Sequence, residues 1–205
     1  SSFTIAQLAD DIEDICDQLG LEDIVLGGLA LGAIAVLDYY KRYGSKRLAK
    51  VALMDFTPRL VSTEGWDHPT FGDFPAEMAN GYAGAVRADR NVLQDFIKGS
   101  FAEPPPDDEF QRLWAQSYLT PTDTCADFIE DMVKADYRDV VPTIQEPTLL
   151  LYGGPKNHTL PTAIGPWMQS QIANSELVVF EESGHCLFIE EPDKFNQVLS
   201  GFASS

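Results

Sequence analysis

The sequence predicts an α/β fold: a parallel sheet with helices on both faces and a helical cap inserted into it. Three observations lead there. Short apolar runs rich in Val, Leu and Ile alternate with amphipathic stretches of helical period, the pattern of strand-helix-strand units. The runs are apolar throughout rather than at every second residue, as in strands covered on both sides. The segment 56–147 breaks the alternation with helical patches rich in aromatic residues, Pro and Gly.

The elements follow in chain order. Ile5, Leu8, Ile12, Ile15 and Leu19 recur at spacings of three and four and mark an amphipathic helix, which Gly20 ends. Ile24 to Leu26 follow as a buried strand. Leu31 to Tyr43 make the next helix, with Gly44 as its stop. Lys50 to Asp55 form a second strand, closed by Thr57-Pro58. Inside 56–147, helical patches fall at Ala76 to Lys98, Asp107 to Ser117 and Thr122 to Lys134, with Pro104-Pro105-Pro106 as a stiff turn. Thr148 to Tyr152 and Leu177 to Phe180 are the third and fourth strands. Helices are expected from Pro161 to Ala173 and from Pro192 to Phe202. The chain thus divides into a core part at 1–55, a cap at 56–147 and a second core part at 148–205. A sheet of this kind opening on a helix leaves one edge uncovered. An N-terminal piece, even a separate chain, is expected to complete it.

Charge narrows the partners. The net charge of -18 repels nucleic-acid phosphate and anionic membrane alike, so neither is an expected partner. No run of about 20 apolar residues is available for a membrane span. The opening Ser1-Ser2-Phe3-Thr4 lacks the basic flank and apolar run of a signal peptide. Cys16, Cys125 and Cys186 are odd in number and far apart, which argues against a disulfide framework and for a reducing, cytoplasmic compartment.

The residues that bear chemistry cluster at the ends of strands. Ile24-Val25-Leu26-Gly27-Gly28-Leu29-Ala30-Leu31-Gly32 reads as an apolar strand, a sharp turn and a helix start. Gly28 and Gly32 bracket position 30 at the spacing of a G-x-S-x-G nucleophile elbow. Ala30 stands where that elbow carries Ser, so the setting of a nucleophile is present without its oxygen. The Leu31 N–H, at the helix start, is the expected oxyanion donor. Ser183-Gly184-His185 follows the fourth strand at its carboxyl end, where open α/β sheets place their sites. The acidic slot after the third strand, in Gly154 to Pro161, falls on Asn157, which accepts a hydrogen bond but brings no charge to an imidazolium. Asp55, at the end of the second strand, is the other candidate, and the sequence leaves both open. His68, His158 and His185 lack metal-ligand spacing, so no metal is expected. Gly27 to Gly32 lacks the glycine spacing and downstream Lys of a nucleotide site. No cofactor is expected.

Taken in order with Leu19 to Leu26, Asp55 to Leu60 and Asp136-Tyr137-Arg138-Asp139, these residues resemble the α/β-hydrolase superfamily. The resemblance is to its esterase, enol-lactonase and cofactor-free haloperoxidase branch. It implies a carboxylic ester or lactone hydrolase acting on a small molecule, with a nucleophile at position 30 and His185 as base. The chain departs from the family pattern at Ala30 and at Asn157. The family's first strands and the loop giving a second oxyanion donor have no counterpart. In the haloalkane-dehalogenase branch the acid follows the strand that ends here in Met54-Asp55, which makes Asp55 a substitute for position 157. Ala30 has two explanations. One is an engineered replacement of Ser, since a single substitution restores the elbow. The other is a natural pseudoenzyme that keeps the pocket as a binding site. Trp66, Phe71, Phe74, Phe101 and Trp114 in the cap are expected to wall the substrate pocket.

Overall fold

Four strands form one sheet in a computed structural model that describes residues 3–205. Ser1 and Ser2 of the opening tetrapeptide lie outside the described residues. The strands are β1 (Ile24–Leu29), β2 (Leu48–Met54), β3 (Thr148–Gly153) and β4 (Ser175–Phe180). They lie in the order β1-β2-β3-β4, and every pair is parallel. Gly28, Leu53, Leu150 and Leu177 run in register across the sheet. Parallel neighbours need crossovers, and helices supply them: α1 (Ile5–Leu19) leads into β1, α2 (Leu31–Tyr43) joins β1 to β2, and α7 (Ile164–Gln171) joins β3 to β4.

Alternation along the strands sends side chains to two cores. Val51 and Leu53 of β2 and Leu150 and Tyr152 of β3 pack with Ile5 and Ala9 of α1, Ile34 and Leu37 of α2 and Met168 of α7. Ala52, Met54, Leu149 and Leu151 turn the other way, onto Phe180, Leu187 and the apolar side of α9 (Pro192–Ser204). β3 is buried at every position, so its unbroken apolar run reflects cover on both faces. β1 is only half-buried along most of its length, as befits an edge strand.

Between β2 and β3 the described residues contain helices and no strand: α3 (Ala76–Ala88), α4 (Leu93–Gly99), α5 (Asp107–Ser117) and α6 (Thr122–Lys134). The ends of this segment are tied down. Arg59 donates to the carbonyls of Val133 and Ala135 at the end of α6. The Tyr137 N–H donates to the Pro58 carbonyl, and its buried hydroxyl donates to Asp38.

Several expected boundaries move, each for a local reason. β1 runs on through Gly27 and Gly28 to Leu29 instead of stopping at Leu26, because parallel pairing with β2 outweighs the poor strand propensity of glycine. The helix expected over Ala76 to Lys98 is broken at Asp89, whose backbone is extended and whose carboxylate accepts the Asn91 N–H at 2.9 Å. The helix expected from Pro161 begins at Ile164, after a turn in which the Ile164 N–H bonds to the Pro161 carbonyl. A short helix, α8 (Leu187–Glu190), follows the His185 loop. No helix among the described residues is long and apolar enough to cross a membrane.

Candidate active site

The turn from β1 to α2 is strained. Ala30 sits at φ 51°, ψ -116°, a region that residues with a Cβ rarely occupy and that costs about 1–3 kcal/mol. The surroundings hold it there. The Ala30 N–H bonds to the Met54 carbonyl at 3.0 Å. Gly28 lets the strand pass against the helix, since a Cβ on it would lie 2.2 Å from the Gly32 carbonyl carbon. The strain aims the side chain of residue 30 outward at the head of the sheet. The Leu31 N–H is at the first position of α2, where no intrahelical acceptor exists, and it adds to the positive end of the helix.

Asp55 leaves β2 at the same end, also with positive φ (39°), and is fully buried. Its carboxylate has four donor contacts. The Gly153 N–H reaches Oδ1 at 2.8 Å, and Asn157 Nδ2 reaches Oδ1 at 2.9 Å and Oδ2 at 3.0 Å. His185 Nδ1 meets Oδ2 at 2.5 Å. Three donor groups, the Gly153 N–H, the Asn157 amide and the imidazole, compensate the loss of water that burial imposes on a carboxylate. Of the two candidates left open in the sequence, Asp55 contacts the imidazole, and Asn157 contacts Asp55. The Asn157 Oδ1 accepts from the N–H groups of Thr159 and Leu160, which fixes its own orientation.

The loop that carries His185 is clamped from the inserted segment. The N–H groups of His185 and Cys186 both bond to the Ser100 carbonyl. Glu190 accepts from the Gly184 N–H at 2.9 Å and from the Ala102 N–H at 2.7 Å. A Cβ on Gly184 would lie 2.7 Å from the Ala102 nitrogen, so only glycine permits this contact. With Nδ1 engaged by Asp55, Nε2 is the ring nitrogen left for the cavity. Cys186, next in sequence, offers no rival nucleophile: burial first, then the carboxylates of Glu190 and Asp55, push its thiol up to about 12.

Ala30, Leu31, Asp55 and His185 line one cavity of about 400 Å³. Of the cap aromatics, Phe71 and Phe74 line it, and Trp66, Phe101 and Trp114 do not. Trp66 is buried edge-on against Trp167, where its ring N–H finds the Arg59 carbonyl at 2.9 Å. Phe101 is buried in the turn that backs the His185 loop. Trp114 packs against Tyr118, with the Arg90 guanidinium beside both rings. α6 adds Cys125, Phe128, Ile129 and Met132 to the wall. Their spacing of three, four and seven is the apolar stripe of a helix, and that signal was present in the sequence. Tyr82 and Phe96 were not foreseen, and nothing local to them marks a pocket. Among the described residues no group of His, Cys, Asp and Glu is placed to hold a metal ion.

Comparison with known proteins agrees with this architecture. The family model described as alpha/beta hydrolase fold matches residues 1–192. The chain belongs to the α/β-hydrolase fold family. This α/β-hydrolase is 28% identical over 209 residues to 3-oxoadipate enol-lactonase 1 of Acinetobacter baylyi, covering 98% of the present chain and 72% of the relative. It is 27% identical over 210 residues to a non-heme haloperoxidase of Rhodococcus erythropolis, covering 96% and 73%. Among solved structures, an esterase from Exiguobacterium antarcticum superposes on the α/β-hydrolase chain with a TM-score of 0.91 at 26% identity, covering 100% of this chain and 75% of that one.

Proposed function

We propose that this chain carries the machinery of a serine-type carboxylic ester or lactone hydrolase, with Ala30 standing at the nucleophile position. The observation that carries the reading is the convergence of Ala30, Leu31 and the Asp55–His185 pair on one cavity. Esterase and enol-lactonase relatives support it.

With Ser at position 30, the hydroxyl gives its proton to His185 Nε2 and its oxygen attacks the carbonyl carbon. The negative charge that develops falls to the Leu31 N–H and the end of α2. The proton on His185 then goes to the departing alkoxide, and water repeats the sequence to release the acid. Asp55 holds the imidazole with Nδ1 protonated and offsets its transient charge, while Asn157 holds Asp55. The helical segment 56–147 serves as the cap over the pocket. A strand paired with the open edge of β1, from a separate N-terminal chain or a preceding segment, would bring the second oxyanion donor.

As written, the chain lacks the attacking oxygen, by an engineered replacement or by natural loss. Ala30→Ser is therefore the test, assayed on a panel of aryl esters and lactones, alone and with the sheet completed. Turnover is expected to rise by on the order of 10⁴-fold or more. Absence of both burst and turnover in both forms defeats the enzyme reading. A second reading, favoured by Ala30 itself, is a binding protein on a hydrolase scaffold. It expects ligand affinity indifferent to both Ala30→Ser and His185→Ala.

A further inference from the structure

The cavity wall contains no Lys or Arg among the described residues. Besides the phenol of Tyr82 and the thiol of Cys125, its ionisable groups are Asp55 and His185, and these two are already committed to each other. Protonating the imidazole gives a pair with no net charge, not a free cation. The adjoining cavity, of about 410 Å³, shares Phe71, Phe74, Tyr82 and Phe96 with the first. It too has no Lys or Arg on its wall, and it adds the carboxylate of Asp95 and the imidazole of His158. On the wall of the first cavity the positive feature is the start of α2 at Leu31. That end faces the reacting carbonyl, so it is taken by the developing oxyanion and is not available to a remote substituent.

We infer that the site accepts an uncharged, apolar acyl chain and rejects esters or lactones bearing a second, free carboxylate. This inference rests on the hydrolase reading for the orientation of the ligand, with its carbonyl at residue 30 and its chain against α6 and Phe74. The physical basis is desolvation. A carboxylate carried into this wall gives up water and finds no Lys or Arg, only neutral hydroxyls, of which those of Tyr82 and Thr70 are buried without a partner. The net charge of -18 adds a long-range field that opposes the approach of any anion, and salt weakens only that part. An alkyl chain, by contrast, gains by leaving water against Leu60, Phe128, Ile129 and Met132.

A matched pair of ligands isolates the effect. Methyl hexanoate and monomethyl adipate share an acyl chain and differ at its far end, methyl against carboxylate. The chain as it stands, with Ala30, binds without turnover, so dissociation constants for both follow from NMR titration at neutral pH. Methyl hexanoate is expected to bind on the order of a hundredfold tighter, with most of the difference surviving at high salt. Met132→Lys, which places a cation on the wall, is expected to recover binding of monomethyl adipate by tenfold or more. Equal affinities, tighter binding of the anion, or no binding of methyl hexanoate overturns the proposal on the unaltered chain, whatever the fate of the Lys variant. Turnover by Ala30→Ser separates the two readings. A retained binding preference with no hydrolysis of either ester defeats the hydrolase reading alone. Hydrolysis of both with equal kcat/KM defeats the present inference alone.

Discussion

Asn157 donates to both oxygens of Asp55 and has no bond to His185, so the two residues should fail differently when altered. In the Ala30→Ser background, Asp55→Ala removes the acceptor that fixes the tautomer and stabilises the imidazolium. A loss of about 10³–10⁴ in kcat is expected. Asn157→Ala removes one of the donors that hold the Asp55 carboxylate, a contribution of about 1.5–3 kcal/mol, and should cost about 10- to 100-fold. Steady-state kinetics on the two variants decides the matter. A larger loss at 157 than at 55 would mean that Asn157 and not Asp55 governs the base. The two candidate positions were legible in the sequence because each lies just after an apolar run. Which of them contacts His185 was not, since that depends on which side chain is nearer a ring 130 residues away from Asp55. Trp66, Phe101 and Trp114 mark the same limit. Aromatic character identifies a residue that will be buried, and only the packing decides whether it is buried in a wall or behind one.

The elbow is a property of two elements at close approach, and its two glycines are not equivalent. A Cβ on Gly28 would sit 2.2 Å from the carbonyl carbon of Gly32 and 2.5 Å from the Ala33 nitrogen, whereas a Cβ on Gly32 would meet nothing within 4 Å. The neighbours of Gly28 are backbone and cannot rotate away. Gly28→Ala should therefore cost about 3 kcal/mol or more by forcing β1 and α2 apart. Gly32→Ala lies in the first turn of α2, where alanine is a better helix former, and should be neutral or stabilising by about 0.5–1 kcal/mol. Chemical denaturation of the two variants tests this, and equal destabilisation would contradict the geometry. The spacing of the glycines was visible in the sequence, but their inequality was not. Helices were legible to the same degree as their stops. Leu31–Tyr43, Asp107–Ser117 and Thr122–Lys134 have the expected bounds, the first ending at Gly44 and the other two starting directly after Pro. The stretch from Ala76 divides at Asp89 because a side chain there captures a backbone N–H in preference to a helical turn.

At the scale of the molecule, the acidic composition meets a core that buries phenols beside carboxylates. The Tyr39 hydroxyl donates to Glu13, that of Tyr137 to Asp38, and that of Tyr152 to the Phe56 carbonyl. Burial, followed by the neighbouring carboxylates, holds all three phenols well above their ordinary value. Burial, followed by Asp95, pushes Tyr82 up to about 12. Each of these groups keeps its proton in the fold at a pH where the unfolded chain, with phenols near 10, has begun to release it. The unfolded state then binds fewer protons, so stability falls as pH rises. The stabilisation is fully present below about pH 10 and is lost as pH climbs through the raised values. Calorimetry across the alkaline range should show a Tm that is steady to about pH 9 and then declines. Absorbance at 295 nm should show that only part of the seven tyrosines ionise before the fold is lost, with the remainder appearing together at unfolding. Seven phenols titrating near pH 10 with the Tm unmoved would mean that these hydroxyls are open to water, and that the packing which joins α1, α2 and the end of the inserted segment to the sheet is looser than the hydrogen bonds at Glu13, Asp38 and Phe56 require.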